Sequence, residues 1–317
     1  MENEDKQSRY GVEVPIEAIQ IIDPGVVASE SSTCNRTHKP LAYSERGKRL
    51  LSSEHHCMSK LYSTMGNLVP QPIAWGSYSS IPEVHFFLCE FRPMTDDLPD
   101  LKTFPAKIAE LHRTGTSPDG RFGFDVTTFH GEIPIEHGWS DTWEEYFGRT
   151  TRVLLQLERE VRGPDEEIRR LSEPFFEKVI PRLLRPLETG GHSIRPSLIH
   201  GDLWHGNASM DKDSGMPIIF DAASFYAHNE SVWRQPWNKI NKRYRERYHE
   251  HFPKSYPEAD YDSRSLLYAT RVNVLDSILY KNDRSYREML IEGMRQLVKE
   301  FPGGFERWEV SQRTRDD

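Results

Sequence analysis

The chain has 317 residues, 36% hydrophobic and 28% charged, enough for one large domain or two lobes around an apolar core. Its formal net charge of -8 argues against non-specific binding to nucleic acid or to an anionic membrane. No apolar run approaches the roughly 20 residues of a transmembrane helix. The start lacks the pattern of a secretory signal, so we expect a cytoplasmic protein. The three cysteines, Cys34, Cys57 and Cys89, have neither metal-site spacing nor the even count of a disulfide framework.

The first part of the chain predicts a small lobe. Residues 1–40 are polar and poorly patterned, and we expect a poorly ordered or atypical N-terminal segment there. From Ser44 to Met65 apolar side chains recur at helical spacing and predict a helix. Apolar runs at Val69–Gly76 and His85–Phe91 predict two strands. Together these elements would form an N-lobe over residues 41–92.

The remainder, residues 93–317, predicts a mainly helical C-lobe that carries one strand–loop–strand segment. Arg92–Asp97 is interpreted as the linker between the lobes, and Phe122–Thr128 as part of a loop rich in Gly and Pro. Helices are predicted around Pro105–His112, from about 141 to 161, from about 163 to 187 with a kink at Pro181, and at about 229–251, 262–281 and 284–301.

The strand–loop–strand segment carries the clearest chemistry. Ser197–Asn207 has the pattern of a short apolar strand and a polar loop, and Pro217–Asp221 that of a second strand ending in a carboxylate. Asp202 and Asn207 are five residues apart, and Asp221 lies fourteen beyond Asn207. In phosphoryl transfer from a magnesium nucleotide, one Asp accepts the proton of the attacking hydroxyl, while an Asn and a second Asp hold the metal. A tight turn between buried strands is the simpler alternative, because Asp, Asn and Gly are common turn residues.

These elements predict an α+β, two-lobed, protein-kinase-like fold with a cleft between the lobes. The chain resembles the fructosamine kinase/ketosamine 3-kinase family, whose fungal members are protein-ribulosamine 3-kinases. The resemblance rests on residues 200–207 (HGDLWHGN), on 218–230 (IIFDAASFYAHNE) and on Phe122–Phe124 leading to Trp143, and it extends from about 47 to 301. The first block is shared in outline with aminoglycoside phosphotransferases and choline kinases.

The resemblance implies an activity as well as a fold. Members of this family use ATP with magnesium to phosphorylate the sugar 3-hydroxyl of a ketosamine, the adduct that a reducing sugar forms with a protein amine. The phosphorylated adduct falls off, so the net effect is deglycation. The implied substrate is a glycated protein or a small ketosamine.

Four residues of the catalytic segment receive roles. Asp202 is interpreted as the catalytic base, which aims the hydroxyl at the γ-phosphate and accepts its proton. Asn207 and Asp221 are interpreted as magnesium ligands, with capping of adjacent turns as the alternative. His200 is interpreted as structural support of the loop rather than as a chemical group.

Four further residues are predicted to face the sugar amine: Trp204, Tyr226, His228 and Glu230. Aromatic faces suit the C–H surface of a sugar or a cationic amine. The alternative for each is ordinary core packing or helix capping.

The nucleotide side of the predicted site is less complete. By resemblance, Glu90, Phe91 and Arg92 form the hinge that binds adenine, with core packing as an alternative for Phe91. Glu54 matches the helix Glu that pairs with a nucleotide-binding Lys in kinases, and the alternative is a solvated helix face.

The N-lobe is abbreviated in two respects. No Gly-rich phosphate loop is evident in residues 1–40, and Lys39-Pro-Leu-Ala42 stands where family members have a strand ending in Lys. Pro40 disfavours a central strand there, although Lys39 is a candidate for the missing Lys. Three functions stay open: an active ketosamine kinase, a catalytically impaired pseudokinase or binding module, and a phosphotransferase for an aminoglycoside or choline-like amine.

Overall fold

The computed structural model describes residues 37–38, 41–232 and 239–316. Most of the predicted N-terminal segment 1–40, including Lys39 and Pro40, therefore lies outside the described residues.

An antiparallel sheet and one long helix begin the described chain. The elements are β1 (Thr37–His38), β2 (Leu41–Tyr43), α1 (Ser44–Met65), β3 (Pro72–Ser77) and β4 (Val84–Glu90). β4 is central, because β3 pairs along it while β1 and β2 pair with its C-terminal and N-terminal parts. The helix predicted from the apolar periodicity is confirmed with its bounds. Both predicted strands are also confirmed, each displaced by a few residues.

The hydrophobic core does not stop at the predicted lobe boundary. Leu51, Met58 and Leu61 of α1 are buried in one continuous cluster with residues as distant as Leu290 and Leu297. Burying a side chain of this size stabilises a fold by about 1.5–3 kcal/mol. Removing α1 would therefore expose part of the core that it shares with the C-terminal region, and the division at residues 92/93 stays a prediction.

Eight helices follow among the described residues. They are α2 (Thr103–Thr114), α3 (Trp143–Arg162), α4 (Glu166–Pro174), α5 (Ile180–Leu184), α6 (Lys242–His249), α7 (Tyr261–Leu279), α8 (Arg284–Glu300) and α9 (Gly304–Asp316). The Thr142 side chain accepts a hydrogen bond from the Glu145 N–H at the start of α3. It satisfies one of the backbone donors that a helix N-terminus leaves without an intrahelical partner.

One of the helix predictions was confirmed in extent and another was wrong. The helix expected from about 163 to 187 is a continuous helical run from Glu166 to Glu188, with a π-helical turn at Phe175–Val179, just before the kink expected at Pro181, and a 3₁₀ turn at its end. Pro181 cannot donate the i→i−4 hydrogen bond, and the wide turn directly before it accommodates this loss. The helix expected at 229–251 is a 3₁₀ turn at Asn229–Val232 and the short α6, separated by residues outside the described set. Helix α9 was not anticipated.

Short strands follow β4 in the described chain: β5 (Phe122–Phe124), β6 (Thr128–His130), β7 (Ile133–Ile135), β8 (Gly138–Ser140), β9 (Ser197–Ile199), β10 (Ala208–Met210), β11 (Pro217–Ile219) and β12 (Phe225–Ala227). The first of them, β5, and the start of β6 lie where a loop was expected at Phe122–Thr128. One sheet has the order β8-β5-β12-β9, while β6–β7 and β10–β11 are separate antiparallel pairs. Gly123 makes the β5–β8 approach possible, since a Cβ there would lie 1.8 Å from the Gly138 carbonyl oxygen.

Within the described ranges, no helix combines the length and the apolar character that crossing a membrane requires.

The N-cap of α4 allows a test of local stability. Asp165 Oδ1 accepts hydrogen bonds from the N–H groups of Glu167 (2.9 Å) and Ile168 (3.0 Å). We expect Asp165→Ala to lower the free energy of unfolding by about 0.5–2 kcal/mol, measured by urea denaturation. Asp165→Asn is the control, because its carboxamide oxygen can still cap the helix. Equal losses in the two variants would contradict this assignment.

Candidate active site

The three residues predicted to carry the chemistry lie together. The Asn207 carboxamide nitrogen donates to the Asp202 backbone oxygen at 3.0 Å and lies 3.3 Å from Asp202 Oδ2. The same nitrogen lies 3.4 Å from the backbone oxygen of Asp221. Asn207 is thus the link between the loop after β9 and the segment after β11, and it brings both carboxylates to one place.

His200 supports this arrangement through hydrogen bonds to both chain segments. It is fully buried, and its Nε2 lies 2.9 Å from the Phe220 carbonyl oxygen. A carbonyl can only accept, so Nε2 carries the proton and the bare Nδ1 accepts from the Asp202 N–H at 3.3 Å. The Ala223 N–H donates in turn to the His200 carbonyl at 3.0 Å. One imidazole therefore joins the two chain segments that carry Asp202 and Asp221.

Close backbone packing also shapes the loop. Gly201 has φ +82°, and a Cβ at this position would lie 1.8 Å from the Ala223 carbonyl oxygen. Asp221 itself has φ +58°, the left-handed region that non-glycine residues rarely adopt. Such conformations persist only where the surrounding structure holds them, and they are concentrated at functional sites.

The site concentrates negative charge. Asp221 is open to solvent on one side, yet desolvation by the surrounding protein, with the charge of Asp202, raises its pKa above the ordinary value. Burial and the charge of Asp221 raise the pKa of Glu54, on α1, to about 8. Glu54 is only partly exposed on α1, and its pairing with a nucleotide-binding Lys stays a prediction. A cation placed here would relieve the repulsion between these carboxylates.

The donor set fits magnesium. Among the described residues, no group of three or more His, Cys, Asp or Glu side chains is arranged to hold a metal ion. Asn207 and Asp221 offer hard oxygen donors, and Mg²⁺ in nucleotide sites is usually held by one or two protein oxygens while substrate phosphates and water complete its shell. Asn207 and Asp221 would therefore suit a magnesium–nucleotide complex, and their role as ligands stays a prediction.

The predicted hinge residues bind one another and the catalytic hairpin. Arg92 Nε lies 2.8 Å from Glu90 Oε2, and an Arg92 terminal nitrogen lies 3.4 Å from Asp211 Oδ2. Phe91 between them is partly buried. The side chains of Glu90 and Arg92 thus tie the end of β4 to the β10–β11 hairpin. Adenine binding by the backbone of Glu90, Phe91 and Arg92 stays a prediction.

Two predicted substrate residues have different surroundings. Trp204 is partly buried inside the catalytic loop, with its ring over Gly206 and at 4.9 Å from the His205 ring. Tyr226 is only 3% exposed and stacks on Trp139, with ring centroids 6.1 Å apart. Trp204 therefore lies in the catalytic loop two residues after Asp202, whereas Tyr226 packs in the sheet.

The prediction that His228 and Glu230 face the sugar amine was wrong for this structure. Both are buried beneath α7, because the chain turns into a 3₁₀ helix directly after β12. His228 hydrogen-bonds the Tyr268 hydroxyl at 2.7 Å, and burial lowers its pKa to about 4. Glu230 pairs with Arg264 (Nε–Oε2 2.8 Å) and accepts from the Ser255 N–H at 2.7 Å.

The structure adds His130, which sequence reasoning missed. Its Nδ1 lies 3.4 Å from Asp202 Oδ1. No periodicity or motif in the sequence singles out His130. It lies at the end of β6, in the hairpin that β6 forms with β7, and meets the catalytic loop only in the folded chain.

A cavity of about 850 Å³ lies between α1, Trp75 of β3 and the segment Asp125–Phe129. It is bounded by parts of both predicted lobes. Its lining does not include Asp202, Asn207 or Asp221.

The Glu230–Arg264 pair gives a prediction on stability. Arg264→Met leaves a carboxylate buried without its main partner, and breaking a buried pair in this way lowers the free energy of unfolding by about 3–5 kcal/mol. The double variant Glu230→Leu/Arg264→Met removes both charges and should recover part of that loss. Urea denaturation measures both. The pairing would be contradicted if the double variant lost more free energy of unfolding than the losses of Glu230→Leu and Arg264→Met add up to.

Glu54 gives a prediction on pH dependence. Its folded-state pKa of about 8 lies above the ordinary value of 4.5, so the folded state binds the proton more tightly than the unfolded state. The free energy of unfolding should therefore fall as pH rises from about 5 to 9, without nucleotide or metal. Glu54→Gln should flatten this dependence, because its amide does not titrate. Chemical denaturation at several pH values measures it, and equal slopes in both proteins would exclude Glu54 as the cause.

Comparisons with known proteins agree with this geometry. The family model described as fructosamine kinase matches residues 41–289. The chain is 36% identical over 204 residues to a ketosamine-3-kinase of Mus musculus (58% of this chain, 63% of that protein) and 29% identical over 192 residues to a chloroplastic protein-ribulosamine 3-kinase of Arabidopsis thaliana (60% and 56%). It thus spans little more than half the length of these relatives.

A solved structure shows the fold. A Haemophilus somnus 129PT protein assigned as a fructosamine-3-kinase superimposes with a TM-score of 0.65 at 20% identity, covering 83% of each chain. This similarity confirms the predicted α+β, protein-kinase-like fold. Together with the family match over most of its length, it shows that the chain belongs to the fructosamine kinase family.

Proposed function

We propose that the chain is an ATP- and magnesium-dependent kinase that phosphorylates the sugar 3-hydroxyl of ketosamines, on glycated proteins or on small amines. The observation that carries this proposal is the junction of Asp202, Asn207 and Asp221 through one carboxamide. Family membership gives the substrate class, since the relatives are named as ketosamine and protein-ribulosamine 3-kinases. Loss of the phosphorylated sugar would make the net reaction a deglycation.

Each residue has one task in this reaction. Asp202 orients the sugar hydroxyl and accepts its proton as the oxygen bonds to the γ-phosphorus and the bond to the ADP oxygen breaks. Asn207 and Asp221 would hold magnesium, which neutralises charge on the phosphates. His200 keeps the segments carrying Asp202 and Asp221 in register, and positioning of this kind supplies much of the rate in phosphoryl transfer.

The intact catalytic set favours an enzyme over a pseudokinase or binding module. A chain that only bound sugars would have no physical need for Asp221 at φ +58°, or for a carboxylate whose pKa is raised by desolvation and by the charge of Asp202. Burial and the charge of Asp221 also raise the pKa of Glu54 on α1. Lys39, the candidate for the phosphate-binding lysine, lies outside the described residues.

The test is release of ADP from ATP and magnesium with a ribulosamine or fructosamine as acceptor. We expect Asp202→Asn to lower kcat by about 10²–10⁴-fold, because it removes the proton acceptor while keeping the side-chain size. Asp262→Asn, on the exposed face of α7, is the matched control and should retain activity. Turnover that survives Asp202→Asn would remove this residue as the base.

An acceptor panel tests the substrate class. The ketosamine should be phosphorylated at its 3-hydroxyl, located by ³¹P and ¹H NMR, while an aminoglycoside and choline should give little ADP release above background. Faster turnover with either amine would instead establish a small-molecule phosphotransferase.

A further inference from the structure

His130 stands apart from the residues already given a task. It lies on β6, in a hairpin outside the catalytic segment, yet its Nδ1 is 3.4 Å from Asp202 Oδ1. Its side chain is 10% exposed and that of Asp202 is 23% exposed. Contact between a largely enclosed imidazole and the proposed base concerns the reacting group directly.

The two oxygens of Asp202 meet different neighbours. Oδ2 lies 3.3 Å from the Asn207 carboxamide nitrogen, and Oδ1 faces His130. Contacts at both oxygens restrict rotation of the carboxylate about its last bond. Each carboxylate oxygen has two acceptor positions, so a contact with His130 at Oδ1 is compatible with a further hydrogen bond from an acceptor hydroxyl.

The hairpin that carries His130 is itself fixed. On its outer side, an Arg46 terminal nitrogen on α1 lies 2.7 Å from the Glu132 carbonyl oxygen and 3.1 Å from the Glu132 carboxylate. On its inner side, Thr128 Oγ1 and His137 Nε2 are 2.7 Å apart and fully enclosed. His137 also contacts the Tyr146 hydroxyl of α3 through Nδ1. The position of His130 is therefore set by both α1 and α3.

We propose that His130 is a positioning residue that holds the Asp202 carboxylate, through Oδ1, in the orientation that receives the acceptor proton. The inference rests on the proposed function for its kinetic consequence, but the contact itself does not. Misorientation of a reacting group by about 1 Å lowers rates by about a hundredfold, so a lost contact here should act on kcat.

The kinetic test compares three variants. His130→Leu keeps the bulk and removes the donor, and it should lower kcat about tenfold to a hundredfold with KM for ATP within about twofold of the wild type. His130→Gln restores a donor and should recover part of the rate. His192→Leu, at an exposed histidine that stacks on Tyr256, is the control for loss of an imidazole and should keep wild-type kcat. A wild-type kcat in His130→Leu, or an effect confined to KM for ATP, would overturn the proposal.

A second measurement does not need turnover. With ¹⁵N-labelled histidine, the ring signals of His130 are assigned by their absence in His130→Gln and should shift in Asp202→Asn. Unchanged signals would overturn the contact, whatever the activity. Wild-type protein that turns over no ketosamine but shows the shift would end the proposed function and keep the contact. Thermal unfolding of each variant shows whether it is folded, so that a change in kcat or in the ring signals is not mistaken for an effect of misfolding.

Discussion

One buried imidazole holds the catalytic segment together. One ring nitrogen of His200 accepts a hydrogen bond from the Asp202 N–H, and the other donates to the Phe220 carbonyl oxygen. His200 therefore links two backbone positions, Asp202 and Phe220, that are 18 residues apart in the chain. The rest of the site depends on this constraint. Together with the pairing of β10 and β11, it keeps Asn207 within reach of both Asp202 and the backbone of Asp221.

In this arrangement the charged forms of neighbouring carboxylates are disfavoured. Desolvation and Asp202 raise the pKa of Asp221, and burial and Asp221 raise that of Glu54. Protein folds rarely bring carboxylates together in a poorly solvated place unless a counterion joins them, because the charged forms are disfavoured there. A magnesium ion with its nucleotide would supply this counterion, so ligand binding and stability should be coupled through the same residues.

The two long-range elements around the site have complementary tasks. Helix α1 carries Glu54, whose pKa is raised by burial and by the charge of Asp221, and it bonds the β6–β7 hairpin through Arg46. The hairpin in turn places His130 against Asp202. A displacement of α1 would therefore affect Asp221 through Glu54, and Asp202 through the hairpin and His130. The continuous core beneath α1 makes such a displacement costly, since apolar side chains would lose their contacts.

Local pattern was sufficient for much of this protein. The α1 helix and the two strands after it follow from periodicity, because a helical face and strand alternation are properties of neighbouring residues. The spacing of Asp202, Asn207 and Asp221 indicated that these residues would act together, and their catalytic and metal-binding roles stay a prediction. Three-residue strands such as β5 and β6 are too short to show alternation, so Phe122–Thr128 had the pattern of a loop.

Tertiary packing decided the surroundings of individual side chains. The stretch after β12 has the composition of a sugar site, but the turn at Asn229 places Glu230 against Arg264, 34 residues later in the chain. The contact between His130 and Asp202, 72 residues apart in the chain, is indicated by no local pattern. The sequence by itself indicated which residues are candidates for the chemistry. Only the fold decided which of them meet, because contacts between distant segments depend on how the whole core packs.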